Sequence, residues 1–201
     1  AGAQAADVQT FTSLAAWEGA AGPLVEEQTF SEYDSGAWMA GVEFLPGVSA
    51  TSSLAELRVF DSFTFGKILF AVGDRDSAAA SYDIAFTQPY RAVSFDILGL
   101  EADASDPTTA AGPGLLTVWF ADATSAQFEV AGNPAGDPIF FGLVASQSIT
   151  GMRWTEPLQG VGGSEESGFD NFRVAAVPEP ATSAMGLLGL GLLALKLRRR
   201  R

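Results

Sequence analysis

The sequence predicts an all-β sandwich with one short N-terminal helix, followed by a C-terminal single transmembrane helix. Two features of the stretch from Leu24 to Val174 predict the sandwich. Short runs rich in Phe, Val, Ile and Leu recur between clusters of Gly, Pro, Asp and Ser, and helical periodicity is almost absent. The third feature lies at the end of the chain, where an uncharged apolar segment precedes a basic terminus.

The predicted helix runs from Leu14 to about Ala20. Ser13 can cap its first turn, the alanines inside it favour helix, and Gly22-Pro23 ends it. Leu14 and Trp17 are three residues apart, so we expect both to face the core.

Eleven segments after this helix are predicted as strands, because each is a run of β-favouring residues bounded by turn-forming residues. In Tyr82–Thr87 and Arg91–Leu98, apolar and polar residues alternate, so each should present one face to solvent. The predicted strands are Leu24–Phe30, Val42–Leu45, Leu57–Phe60, Ile68–Val72, Tyr82–Thr87, Arg91–Leu98, Leu115–Phe120, Ala126–Val130, Ile139–Ala145, Ile149–Trp154 and Phe169–Val174.

Composition excludes several classes of function. The chain has 11 Lys and Arg against 24 Asp and Glu, a net charge of −13, which argues against a nucleic-acid partner. It contains no cysteine and no histidine. Disulfides, Cys/His zinc sites, thiol nucleophiles and catalysis that needs an imidazole base are therefore excluded, and we predict no catalytic residue and no enzyme.

Charge is distributed unevenly along the chain. All 24 acidic residues lie between Asp7 and Glu179, where only six basic residues oppose them, so this body carries a net charge of −18. The five remaining charges are all basic and lie in the last six positions. They are Lys196, Arg198, Arg199, Arg200 and Arg201.

The segment just before these charges is predicted to be a weak membrane anchor. Ala181–Leu195 carries no charge and shows no polar face, which disfavours a buried helix of a soluble domain. As a helix it spans roughly 22 Å, against a hydrocarbon core of about 30 Å. Its leucines, counted through Leu197, favour insertion by roughly 2 to 4 kcal/mol. The positive-inside rule keeps the arginines in the cytoplasm and places the acidic body outside it.

A stiff, extended tetrapeptide precedes the apolar segment: Val177, Pro178, Glu179 and Pro180. The order of this VPEP motif, a short Leu/Gly/Ala helix and a terminal arginine cluster closely resembles the PEP-CTERM sorting signal of Gram-negative bacterial proteins. A similar segment is labelled in some ice-binding proteins. The resemblance implies that exosortase, a membrane peptidase or transpeptidase, recognises the VPEP residues, and that the basic cluster stops transfer.

The resemblance also implies where the protein goes. It implies export, transient anchoring in the inner membrane with the body outside the cytoplasm, and then the cell surface or extracellular matrix, with an association to exopolysaccharide and biofilm. The small residues of Ala1–Ala6 agree with export, because they are similar to the end of a secretory signal peptide. The expected organisation is residues 1–6 as signal remnant or mature N-terminus, 7–175 as sandwich, 176–180 as linker, 181–197 as transmembrane helix and 198–201 as cytoplasmic cluster.

The body is loosely similar to the ectodomains that often precede such tails. The similar pieces are an early F-x-S-x-x-x-W motif that begins at Phe11 and runs into the helix, a strand that ends in Thr29-Phe30, Phe140 to Gly142, and the closing GFDNF that begins at Gly168. This similarity implies a jelly-roll or lectin-like sandwich, an architecture that hosts many functions.

Two candidate sites remain in the body. Asp74 and Asp76, with Asp83 nearby in sequence, offer carboxylates that calcium accepts, although a solvated acidic turn explains the same residues. No other cofactor is predicted. Exposed aromatic rings could bind sugar, and the candidates, which lie in or beside loops, are Tyr33, Trp38 and Tyr90. Trp119 and Trp154 lie inside apolar runs and are expected in the core.

The sequence leaves three functions open for the body. The first is a structural or exopolysaccharide-binding protein of the cell surface. The second is a carbohydrate-active hydrolase that uses a pair of carboxylates. The third is an ice-binding surface protein, although no regular threonine array is present.

Overall fold

The computed structural model describes residues 6–23, 25–62, 65–73, 79–100, 112–158 and 167–176. They form a sandwich of two antiparallel sheets with one short helix, which confirms the predicted fold class. Val177–Pro180, the predicted transmembrane helix at 181–197 and the basic terminus lie outside the described residues. Across the ranges given above, no helix has both the length and the apolar character needed to span a bilayer.

The described residues contain one helix and thirteen strands, and every predicted strand is present with boundaries shifted by one or a few residues. The elements are β1 Val8–Phe11, α1 Leu14–Ala21, β2 Val25–Gln28, β3 Glu43–Leu45, β4 Val48–Ser52, β5 Glu56–Ser62, β6 Gly66–Val72, β7 Ser81–Phe86, β8 Ala92–Leu98, β9 Gly114–Phe120, β10 Ser125–Val130, β11 Ile139–Ala145, β12 Ile149–Thr155 and β13 Gly168–Ala175.

The last eight strands form a jelly roll. The first sheet has the order β1-β11-β8-β13-β6-β5, with β2 pairing with the second half of β13, and the second sheet has the order β10-β9-β12-β7-β4-β3. From β6 to β13 the chain changes sheet at every connection except the β9–β10 hairpin. The resulting sets, β6-β13-β8-β11 and β7-β12-β9-β10, have the strand order of a jelly roll. The earlier strands extend the two sheets at their edges.

Alternation along each strand builds the core between the sheets. In β7, Tyr82, Ile84 and Phe86 face inward and Asp83 faces out, as predicted. The prediction of a solvent-exposed face is wrong for β8, where the outward residues Ala92 and Ser94 are fully buried along with the inward ones. Helix α1 packs over this part of the first sheet and covers Ala92.

Trp17 attaches the helix to the first sheet. Its indole is fully buried over Gly142, and its Nε1 donates a hydrogen bond of 3.0 Å to the carbonyl of Leu143. Gly22, at φ 88°, ends the helix as predicted. Ser13 has the extended backbone of an N-cap, but its side chain forms no capping hydrogen bond, so that part of the prediction is wrong.

Two strands were not predicted, because their side chains do not give a clear apolar alternation. β4, with the sequence VSATS, buries only Val48 and Ala50, which are small. β1, with the sequence VQTF, lies at the edge of the first sheet and buries its apolar ends partially. β4 forms by pairing with β7, and β1 forms by pairing with β11; both partners are distant in the sequence.

The first prediction tests the contact between Trp17 and Gly142 that attaches the helix to the first sheet. In Gly142→Ala, the new Cβ would lie 2.7 Å from Cδ1 of Trp17, so we expect the free energy of unfolding to fall by about 1 to 3 kcal/mol. Gly19→Ala is the matched control, because Gly19 lies in α1 with open space around it and alanine favours helix. Denaturant unfolding of both variants measures the difference. Equal stability of the two would contradict the tight contact between Trp17 and Gly142.

Candidate functional site

An exposed tryptophan lies on the outer face of the second sheet. Trp119, on β9, pairs with Gly151 of β12 on one side and with Ser125 of β10 on the other, and 38% of its surface is exposed. The expectation that it belongs to the core is wrong. Leu116, Val118 and Phe120 take the inward positions of β9, so the alternation turns Trp119 outward.

An ion-paired arginine lies against this ring. The guanidinium carbon of Arg153, on β12, is 6.0 Å from the centroid of the Trp119 ring. Its Nε and one terminal nitrogen donate to the two carboxylate oxygens of Asp83, on β7, at 2.6 and 3.0 Å. These hydrogen bonds and the charge of Asp83 raise the pKa of Arg153 above its usual value. Three neighbouring strands therefore place an indole, a guanidinium and a carboxylate side by side.

A shallow depression of about 170 Å³ lies beside the Trp119 ring. Gly151 and Ala85, directly paired strand neighbours on β12 and β7, contribute small residues to its surface. A Cβ on Gly151 would sit 3.5 Å from the indole, so a larger side chain there would fill the space. Hydroxyl groups also line the depression, from Ser49, Thr51 and Thr150. We call the indole, its ion pair and this depression the Trp119 site.

The Trp119 site has the chemistry of a surface that binds sugars. The apolar C–H face of a sugar ring can pack on an indole, and its hydroxyls can bond to charged or hydroxyl groups beside the ring. The strand backbone positions the indole and Arg153 lies near its ring before any ligand arrives, which reduces the entropy lost on binding. The depression is smaller than the roughly 300 to 1,000 Å³ of pockets that enclose drug-sized ligands, so it does not enclose a ligand of that size.

The structure does not bring together the three aromatic residues predicted to bind a ligand. Trp38 is 51% exposed on the other sheet, in agreement with the exposure expected for it. Tyr33 is half-buried, with its ring 6.3 Å from Phe30, and burial raises the pKa of its hydroxyl. Tyr90 is only 6% exposed and donates a hydrogen bond of 2.8 Å to the carbonyl of Pro46, so the expectation that its ring stands in solvent is wrong.

The calcium prediction rests on residues that the structure describes only in part. Asp74 and Asp76 lie outside the described residues. Asp83 is described, and both of its carboxylate oxygens bond to Arg153, which disfavours it as a metal ligand. Within the described ranges no group of three or more acidic side chains could hold a metal ion. Calcium binding at Asp74 and Asp76 stays a prediction.

A pair of carboxylates lies on the first sheet, where Asp170 of β13 pairs with Asp96 of β8. Asn171 joins them: its backbone N–H donates to Asp170 at 2.7 Å, and its Nδ2 donates to Asp96 at 2.7 Å. Burial raises the pKa of Asp170 to about 6, and the charge of Asp96 adds to this effect, while the bond from Asn171 and the charge of Arg173 oppose it. Asn171 adopts φ 49° where the register of β13 shifts, a left-handed conformation that asparagine tolerates.

Sequence reasoning missed the Trp119 site, although part of the signal was present. In β9, with the sequence GLLTVWF, the polar Thr117 is two residues from Trp119 and therefore lies on the same face of the strand. In β12, with the sequence ITGMRWT, the exposed Arg153 lies between the buried Met152 and Trp154. Treating each run as a strand with two different faces predicts that Trp119 and Arg153 point outward. It does not predict that they are neighbours.

Residues 176–201 match the PEP-CTERM protein-sorting motif. This match confirms the resemblance noted for the tail, and it identifies an exported protein that is sorted to the cell surface. No curated protein matches the chain.

Several solved structures have a similar overall shape. A mutant of CBM29-2, a family 29 carbohydrate-binding module, has a TM-score of 0.41 and 7% identity, covering 76% of this chain and 92% of its own. CBM32-3, from a family 31 glycoside hydrolase of Clostridium perfringens, has a TM-score of 0.37 and 11% identity over 65% and 92% of the two chains. A family 35 carbohydrate-binding module from Clostridium thermocellum has a TM-score of 0.35 and 15% identity over 69% and 96%. At these TM-scores the likeness says nothing about the residues of the Trp119 site.

The second prediction concerns stability and pH. Because the pKa of Asp170 is raised to about 6 in the folded state, its proton binds more tightly there than in the unfolded chain. The free energy of unfolding should therefore fall as pH rises from about 4 to 6. Asp170→Asn keeps an oxygen for the Asn171 N–H and removes the charge. We expect it to flatten this dependence and to stabilise the protein at pH 7 by about 1 to 2 kcal/mol, after allowance for solvent screening of a half-exposed group.

Denaturant unfolding at a series of pH values measures this effect. Asp61→Asn is the control, since Asp61 is an exposed strand residue outside the pair, and it should follow the wild-type curve. Parallel curves for wild type and Asp170→Asn across pH 4 to 6 would show that the environment of Asp170 is not the cause.

Proposed function

We propose that this protein is a non-catalytic, exported surface protein that binds a neutral polysaccharide of the extracellular matrix through the Trp119 site. The observation that carries the proposal is the indole of Trp119, which the alternation of β9 turns outward, with an ion-paired arginine near its ring and a depression of about 170 Å³ beside it. The sorting motif at 176–201 supports the location, since it belongs to exported proteins that are sorted to the cell surface.

Export and processing account for the tail. In this proposal residues 181–197 anchor the chain transiently in the inner membrane, and the basic cluster at 198–201 remains in the cytoplasm. Exosortase recognises Val177–Pro180, cuts near that motif, and so leaves the body on the cell surface or in the matrix of a biofilm. The modest insertion free energy of the short apolar segment suits an anchor that is used once.

A neutral polysaccharide fits this body better than an acidic one. The body carries a net charge of −18, which repels anionic polymers over the range of the Debye length. At the Trp119 site the charges of Arg153 and Asp83 neutralise each other, so the site offers hydrogen bonds without a net charge. The open sheet face allows a chain to pass through the site and to continue on both sides of it.

One observation favours a second candidate function, hydrolysis of glycosides. Burial raises the pKa of Asp170 to about 6, and Asp170 pairs with Asp96; a carboxylic acid of raised pKa beside a second carboxylate is the arrangement that glycosidases use. Two observations count against hydrolysis. Asn171 already donates hydrogen bonds to both carboxylates, and the charge of Arg173 favours the ionised form of Asp170, whereas a general acid must be protonated. We therefore place binding first and hydrolysis second.

The third prediction tests sorting. Protein recovered from the surface of its native cell should be shorter than the full chain by about 20 to 25 residues at its C-terminus, as measured by intact mass. Glu179→Ala should abolish this loss and retain the protein in the membrane fraction. Pro134→Ala, which changes a proline in a described loop of the body, is the control and should be processed normally. Full-length protein at the surface, or a body located in the cytosol, would contradict the proposal.

The fourth prediction tests the binding site. The probes are a soluble β-glucan, a galactomannan, a xylan and the exopolysaccharide of the producing strain, with alginate as an acidic comparison. Trp119→Ala should weaken binding to whichever neutral polymer the wild type binds by at least about 30-fold. An aromatic side chain that the ligand buries on binding contributes about 2 kcal/mol or more. Gly151→Val should have a similar effect, since it keeps the indole and fills the depression.

Calorimetry or affinity electrophoresis measures the binding, and thermal unfolding verifies that each variant is folded. Leu158→Ala is the matched control, because Leu158 is an exposed apolar residue away from the Trp119 site. Unchanged affinity in both site variants would exclude this site. The same mixtures are assayed for new reducing ends, and sugar release that Asp170→Asn abolishes would replace binding by hydrolysis as the function.

A further inference from the structure

The outer face of the first sheet also carries an exposed tryptophan. Trp38 lies beside β5 and forms an antiparallel bridge with Arg58. Hydrogen bonds of 2.8 Å from Gly36 N to Val59 O and from Met39 N to Leu57 O hold this segment against the strand. Backbone pairing thus fixes the position of Trp38, which is 51% exposed.

The surroundings of Trp38 repeat those of Trp119. The guanidinium carbon of Arg58 lies 5.7 Å from the centroid of the Trp38 ring, against 6.0 Å for Arg153 and Trp119. The Nε of Arg58 lies 2.6 Å from a carboxylate oxygen of Glu56, the same distance as in the ion pair of Arg153, but it forms no hydrogen bond there, whereas Arg153 donates two to Asp83. Each outer face therefore carries an exposed tryptophan, an arginine against its ring and an acidic partner for that arginine.

Further aromatic rings extend the face around Trp38. Phe60 is two residues beyond Arg58 on the same side of β5, is 48% exposed, and lies 5.6 Å from the ring of Phe70 on β6. We call Trp38, Arg58, Glu56, Phe60 and Phe70 the Trp38 site. It contains more aromatic rings than the Trp119 site and no hydroxyl side chains, and so offers more stacking surface and fewer hydrogen-bonding groups.

The two remaining tryptophans show that exposure is not the general state of this residue here. Trp17 and Trp154 are fully buried, and the indole nitrogen of each donates to a buried oxygen, at 3.0 Å in Trp17 and 2.8 Å in Trp154. Burial of a tryptophan with its N–H satisfied is the usual arrangement in a core. Trp38 and Trp119 depart from this core arrangement, since each is exposed and each lies on the outer face of a different sheet.

We propose that the Trp38 site is a second binding site for the same class of neutral polysaccharide, so that one molecule joins two polysaccharide chains. This inference rests on the proposed function of the Trp119 site. The sheets of a sandwich are stacked about 10 Å apart and the two sites lie on their outer faces, so a short glycan lying flat on one site cannot reach the other. Two separate chains, or distant parts of one chain, must occupy them.

A polysaccharide suits the Trp38 site better than a second copy of the protein. Two copies would bring together bodies that each carry a net charge of −18, and this repulsion opposes close packing. Asp61 and Glu56 on the same strand add acidic groups to the rim of any such contact. A neutral polymer incurs no such repulsion.

The fifth prediction uses a capture assay. The neutral polysaccharide that the wild type binds is immobilised, the full-length protein is added, and capture of the same polymer in fluorescent form is measured. The wild type should capture it, whereas Trp38→Ala and Trp119→Ala should each reduce capture to background while keeping one site.

A short oligosaccharide of that polymer should bind with a stoichiometry of two in the wild type and one in each variant. Binding to the immobilised polymer should weaken by about 100-fold or more in either variant, since bivalent attachment is lost.

Phe60→Ala is a second probe of the Trp38 site and should reduce capture without altering Trp119, and Leu158→Ala is the control. If Trp38→Ala and Phe60→Ala capture as well as the wild type, the second site is excluded while the Trp119 site stands. If Trp119→Ala and Gly151→Val bind fully and Trp38→Ala does not, the Trp119 site fails instead. Sedimentation of the protein without polysaccharide tests whether the face around Trp38 binds a second copy of the protein instead. A dimer that Trp38→Ala dissociates would show such binding and would overturn the proposal.

Discussion

Aromatic packing between the two sheets is the constraint on which the rest of the structure depends. Phe169 of β13 contacts Tyr82 and Trp154 of the opposite sheet, with ring centroids 5.0 and 6.2 Å apart, and Phe95 of its own sheet at 5.1 Å. Phe95 in turn stacks on Phe172 at 5.6 Å. Because these large rings occupy the interior, the parity of each strand that contributes one is determined up to any register shift, such as the one between Phe169 and Phe172 of β13. The residues of opposite parity must then face outward.

The outer faces differ because α1 covers only part of one of them. Trp17 packs over Gly142 and closes the area above β8 and β11, and within the part of the chain that the structure describes α1 does not extend over β5 and β6. The second sheet has no helix over it among the described residues. Trp119 and Trp38 occur on these uncovered areas, and an arginine lies against each ring. Exposed aromatic rings that are fixed in place in this way lose little entropy when a ligand packs on them.

Location and surface chemistry point to the same environment. The sorting motif at 176–201 directs the protein to the cell surface, and a strongly acidic body without cysteine stays soluble and needs no oxidative folding there. The same acidity restricts the choice of partner, since it repels acidic polymers, and this is why we propose neutral chains as ligands for the two tryptophan sites. On this view the tail determines where the body works, and the outer faces of the sandwich determine what it binds.

Local patterns were enough to predict the sandwich, the helix at Leu14, eleven of the thirteen strands and the sorting tail, because each depends on residues that are close together in the chain. Alternation and turn residues act locally, and so does the order of motif, apolar segment and arginines. No local pattern makes Asp83, Trp119 and Arg153 neighbours, because they meet only when the winding of the jelly roll brings β7, β12 and β9 side by side. The burial of Tyr90 and of the outward residues Ala92 and Ser94 of β8 was not predictable either, since the segments that cover them are distant in sequence and arrive only on folding.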